Sequence, residues 1–123
     1  MAHVLLAIFL FIQSAMTPSP AQTGRWSEFV AGFMEQYFEL NPDFAVYQGR
    51  HEFDGRFPDW TPEGIKKKVE WLKNQRNTAL AFDSKSIDER QAFERDYFIS
   101  IIDKDLFWLE TAELPYRNPT FYN

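Results

Sequence analysis

The run Gly49-Arg50-His51-Glu52-Phe53-Asp54-Gly55-Arg56-Phe57-Pro58-Asp59 places an imidazole, three carboxylates and two guanidiniums within eleven residues, the densest polar cluster of the sequence. His51 with Asp54 or Asp59 has the make-up of a carboxylate-oriented imidazole, which serves as acid, base or outer metal-shell residue. Arg56 adds a cation to the same candidate set. The same residue types also make an ordinary loop, in which Asp and Arg side chains satisfy backbone groups and one another, and this is the commoner arrangement.

Other chemistries lack their parts. A zinc hydrolase site needs about three protein ligands, usually with two His one helical turn apart. Beyond His3 the sequence has only His51, and it contains no H-E-x-x-H. No Cys is present, which removes thiolate zinc sites, a cysteine nucleophile and a disulfide framework. Ser27, Ser84, Ser86 and Ser100 lack a G-x-S-x-G elbow, and Gly49 and Gly55 are too isolated to cradle a phosphate. The sequence therefore assigns no catalytic, cofactor-binding or metal-binding residue. His51, Asp54, Arg56 and Asp59 stand as polar loop candidates.

The elements that must position this loop read as helices. Trp26, Phe29, Val30, Phe33, Met34, Tyr37 and Leu40 recur at three- and four-residue steps, with Glu28, Glu35 and Glu39 opposite. Asn41-Pro42 reads as a side-chain cap followed by proline at the first helical position, opening a short helix through Tyr47. Gly49 supplies a left-handed residue to end it. Thr61-Pro62 repeats the start signal, and Ile65, Val69, Leu72, Arg76, Ala79 and Leu80 continue it. Lys66-Lys67-Lys68 lies near the front of that helix, where the macrodipole disfavours cations. An anionic-partner patch is one reading; a solvated face with buried stems is the favoured one.

Ser86-Ile87-Asp88-Glu89 matches a capping box, with Ser86 as cap, and opens a helix expected to reach Ala112. Phe98, Ile101, Ile102, Leu106, Phe107, Trp108 and Leu109 occupy more than one of its faces, so burial on more than one side is expected. Pro115 is expected to break it. Glu110 and Glu113 read as solvated carboxylates. Asn118-Pro119 gives a third start signal with only Thr120-Phe121-Tyr122-Asn123 behind it. The expectation is an all-α fold of three main helices plus a short one, an incomplete helical array from a larger helical domain.

At 123 residues the chain has room for one domain, and 45% hydrophobic with 25% charged residues is ordinary globular usage. Aromatics reach 18%, an amount that needs a large core or a covering partner. Lys and Arg number 13 against 18 Asp and Glu, for a net charge of −5, which argues against nucleic acid as a partner. Charge is absent from Met1 to Gly24, and Val4–Ile12 is an unbroken apolar run. That run is shorter than the roughly 20 residues of a membrane span and suits a signal-peptide core. Ser19-Pro20-Ala21 offers small residues for cleavage before Gln22. The expected organisation is a signal peptide over 1–21 and a helical segment over 22–123, exported to the periplasm or outside the cell, with no stable membrane span after cleavage.

The order of features from Phe29 to Asp59 (Tyr37-Phe38-Glu39-Leu40-Asn41-Pro42, Phe44-Ala45-Val46-Tyr47-Gln48-Gly49, then His51, Asp54, Arg56 and Asp59) is followed by Ile87-Asp88 opening a long helix and by Asn118-Pro119-Thr120-Phe121-Tyr122. Taken together this resembles the N-terminal part of the bacterial family catalogued as domain of unknown function 885. The resemblance implies an all-helical, often exported protein related to zinc metallopeptidases of the H-E-x-x-H class. The zinc motif of such proteins lies far downstream of this segment, so no ligand or catalytic residue carries over. Zinc, a peptide substrate and a C-terminal remainder are thus implied for a full-length protein, with this segment as scaffold. The alternative is a stand-alone secreted helical module that binds another protein through its aromatic surface.

Overall fold

The computed structural model describes residues 20–83 and 85–122. The apolar run and most of the expected signal segment lie outside the described residues; the proposed cleavage point before Gln22 falls in the opening turn of the first helix. Every regular element among the described residues is helical. Three long helices dominate: α1 (Pro20–Leu40), α3 (Pro62–Leu80) and α4 (Glu89–Leu106). Two short ones, α2 (Pro42–Tyr47) and α5 (Leu114–Arg117), complete the α-helices.

The apolar stripe of α1 faces inward as its spacing requires. Trp26 and Phe33 are buried, Phe29, Val30, Met34 and Tyr37 are partly buried, and Glu28, Glu35 and Glu39 face solvent. α3 and α4 pack closely, while α1 meets them largely through rings. Phe33 stacks on Trp71 at 4.9 Å and meets Phe98 edge-on at 4.5 Å. Phe33, Val69, Leu72, Ile102 and Leu109 form the central core. A second cluster gathers Trp26, Ala79 and Ile87 at one end of the bundle. A third, of Phe38, Ala45 and Phe53, pins α2 and the following loop to α1.

Start signals are met in different ways. Thr61 caps α3 as expected, its hydroxyl accepting from the Gly64 amide at 3.0 Å. Asn41 does not cap α2; its amide instead donates to the Tyr37 carbonyl at 2.8 Å, leaving its oxygen to accept from Lys68. The capping box at Ser86 is two residues early. Ser86 is used in a turn on the Asp83 carbonyl, and Asp88 caps α4 by accepting from the Gln91 amide at 2.8 Å. Ile87 can then drop into the core beside Ala92, a hydrophobic staple that fixes the entry of the chain.

α4 continues into a π-helical turn, Phe107–Thr111, in which the Ala112 amide reaches the Phe107 carbonyl at 2.8 Å. Glu113, left-handed at φ 48°, ends the run. Pro115 therefore does not break the long helix; it sits buried in the first turn of α5, where a missing N–H costs nothing. Asn118-Pro119 opens a single 3-10 turn through Tyr122. The expected burial of α4 on more than one side is not met among the described residues. Of the residues named for it, Ile102 and Leu109, two turns apart on one face, are buried, and Phe98, Ile101 and Leu106 are partly buried. Phe107 and Trp108 are exposed, and Phe93 and Tyr97 earlier in α4 are more exposed still. Leu80, at the end of the α3 stripe, is likewise exposed.

Candidate functional site

The Gly49–Asp59 loop is ordered by its own chemistry. Gly49 and Gly55 take positive φ, 86° and 77°, on either side of a 3-10 turn over His51–Phe53 whose Phe53 is buried. Arg50 lies 5.0 Å over the Phe38 ring and 5.6 Å over Phe53, and pairs with Glu35 and Glu52. Those hydrogen bonds hold both carboxyls below their usual range. Arg56 also lies over the Phe53 ring, at 4.7 Å, and pairs with Glu39, whose carboxyl it lowers. Asp59 accepts from the Thr61 hydroxyl and amide at 2.7 and 3.0 Å, which lowers its pKa and sets the entry to α3.

Of the four polar loop candidates, only His51 and Asp54 are brought together, Nδ1 to Oδ2 at 3.5 Å, on the open surface. Arg56 and Asp59 are turned to Glu39 and Thr61. Among the described residues no three His, Cys, Asp or Glu side chains converge as metal ligands. Glu110 and Glu113 are engaged with Lys73 and Arg117, each at 2.6 Å.

The structure draws another group of residues into a cleft that spacing did not reveal. An open cavity of about 620 Å³ lies where α1, α3, the end of α4 and the C-terminal turns meet. Tyr37 comes from α1, Trp60 from the loop just before α3, Lys68 from α3, Lys104 and Asp105 from α4, and Trp108 and Leu109 from the π-helical turn. Leu114, Asn118 and Phe121 close it from the far side. The C-terminal turns are fastened by the Tyr122 hydroxyl, which donates to the Pro115 carbonyl at 2.7 Å. Trp60 and Phe121 then meet edge-to-face at 4.7 Å.

The three adjacent lysines divide here. Lys66 and Lys67 are exposed, in keeping with a solvated face, but Lys68 is half-buried and turns into the cleft. Its ammonium donates to the Asn41 side-chain oxygen and lies 5.6 Å over the Trp60 ring. Burial pushes its pKa down, opposed at longer range by Asp105 and Asp43. Tyr37 is pushed up to about 12, first by burial and then by the Asp105 carboxylate. It is therefore a neutral hydrogen-bond donor at physiological pH. Asp105 pairs with Lys104 at 3.3 Å. The cleft thus holds an inner cation, a neutral phenol, one paired carboxylate and aromatic walls, a set suited to recognition. Sequence reasoning singled out the lysine triplet but not its third member; Asn118 was read as a helix start and not as a cleft residue, and Trp60 and Asp105 carried no local signal.

No family model, curated protein or solved structure matches this chain. No helix among the described residues is long and apolar enough to cross a membrane.

Proposed function

We propose that this chain is the helical scaffold segment of an exported, metallopeptidase-like protein, packing through its aromatic surface against the catalytic remainder. One observation carries the reading: the apolar groove between α1 and α4. Val30, Met34, Tyr97 and Ile101 line it, with buried Trp26 and Ile102 beneath. Phe93 stands one turn before Tyr97 and is equally uncovered. Apolar surface of this kind marks a contact site rather than a finished exterior. The resemblance in the run Phe29–Asp59, at Ile87-Asp88 and in Asn118–Tyr122 supplies the kind of protein that would cover it, and the apolar run Val4–Ile12 supports export. Zinc and peptide substrate belong, on this reading, to the remainder.

The test is light scattering and binding of a hydrophobic dye on the chain lacking its first 21 residues. Self-association and strong dye binding are expected, both relieved by Phe93→Lys with Tyr97→Lys at unchanged helicity. The sample should hydrolyse no peptide on addition of zinc. A monomer that ignores the dye and unfolds cooperatively would overturn the scaffold reading in favour of a stand-alone secreted module.

A further inference from the structure

We propose that the cleft around Lys68 binds a small organic monocarboxylate with a flat aromatic body, its carboxylate taken by the Lys68 ammonium and its ring by Trp60 and Phe121. An ammonium has three N–H donors, and Asn41 accepts from one. No carboxylate among the described residues lies within ion-pair distance of Lys68, although the surface of this chain carries many such pairs. A half-buried cation with donors to spare is costly unless an anion or water completes its shell. The surrounding walls favour an apolar body beside that anion. Trp60 presents its face to Lys68, Phe121 stands at 71° to it and Tyr122 backs both rings edge-on, so Trp60 and Phe121 form a braced aromatic wall against which a ligand ring can pack.

Charge and size narrow the class. Lys68 and Lys104 face Asp105 in the lining, and Asp43 also acts on Lys68 and Tyr37 from nearby, so a dianion would meet two carboxylates where a monoanion can pair with Lys68 alone. Lys104 is paired with Asp105 and more than half exposed, so it guides the ligand at the mouth rather than anchoring it. A volume of about 620 Å³ falls within the range of small-molecule sites. The cleft lies apart from the residues that line the α1/α4 groove, so this site stands or falls independently of the scaffold reading.

The experiment titrates the purified chain with 3-phenylpropionate, following tryptophan fluorescence and calorimetry, against 3-phenylpropionamide and inorganic phosphate. The acid should bind at least tenfold more tightly than its neutral amide, and phosphate should not compete at equal concentration. Lys68→Met, which keeps the stem and removes the charge, should weaken the acid at least tenfold and leave the amide unchanged. Lys104→Met should weaken it by about threefold or less. Equal binding of acid and amide, or phosphate binding as tightly as the acid, would overturn the assignment. The acid-against-amide comparison needs no variant, so a misfolded Lys68→Met would not shelter the proposal.

Discussion

Trp26 tests whether the first half of α1 is bonded into the bundle. Its side chain is 1% exposed, meets Phe82 and Phe98 edge-on at 5.3 and 6.0 Å, and donates from Nε1 to Glu94 at 3.3 Å. A tryptophan buries about 150–250 Å², which at ~25 cal/mol per Å² amounts to roughly 4–6 kcal/mol. A compact unfolded state reduces this by about 10–40%, leaving ~3–5 kcal/mol for Trp26→Ala. A domain of this size has about 5–15 kcal/mol in all, so the variant should lose much of its stability. The long hydrogen bond contributes little beside the rings. Trp26→Phe should therefore cost about 1–2 kcal/mol, and Glu94→Gln about 0.5 kcal/mol or less. Urea unfolding followed by far-ultraviolet circular dichroism measures all three, with the denaturant slope as a check that the transition is unchanged. A cost below ~1 kcal/mol for Trp26→Ala would refute the reasoning, because α1 would then be docked by its second half alone.

Three further outcomes follow from the geometry. Asp88→Ala should destabilise by about 0.5–2 kcal/mol and Ser86→Ala by clearly less, a ranking that thermal unfolding of the pair will check. Gly64→Ala should cost about 1–3 kcal/mol, since the added methyl overlaps the Asp59 carbonyl and carboxylate; an unchanged urea midpoint would contradict that packing. Tyr37 holds its proton up to about pH 12 when folded and releases it near 10 when unfolded. Native molecules bind more protons across that window, so stability falls as pH rises from 10 to 12. Tyr37→Phe should flatten this decline, and an identical alkaline profile in the variant would show that the phenol is not buried.

The helices were legible because their signals are local. The three- and four-residue recurrence of Trp26, Phe33 and Tyr37, the Thr61-Pro62 start and the Gly49 stop each act within a turn or two of chain, and each appears in the structure where its spacing puts it. The structure departs from the local signals where one competes with another. Ser86 and Asp88 are both good caps, and the choice fell to Asp88 because only that register lets Ile87 reach the core. Asn41 is a good cap that was diverted, its amide drawn to the Tyr37 carbonyl and its oxygen to a lysine from another helix.

The polar loop shows the limit from the other side. Composition made His51, Asp54, Arg56 and Asp59 one candidate set, yet distances separate them, because Arg56 finds Glu39 on α1 and Asp59 finds Thr61 two residues on. The cleft shows the converse. Lys66, Lys67 and Lys68 are equivalent in sequence, and the 100° turn between successive helical positions sends the third one inward. Its surroundings, Tyr37, Asp105 and Phe121, are assembled from three distant stretches of chain.

By itself, then, the sequence determined the all-helical class, the positions of the long helices and the shortage of metal-ligating His and Cys, since these depend on residue type and short-range periodicity. The tertiary structure alone decided which cap was used, which lysine was buried, and which aromatic face was left uncovered along α4. Those outcomes depend on what stands opposite each side chain, and that partner is chosen by packing between helices far apart in the chain.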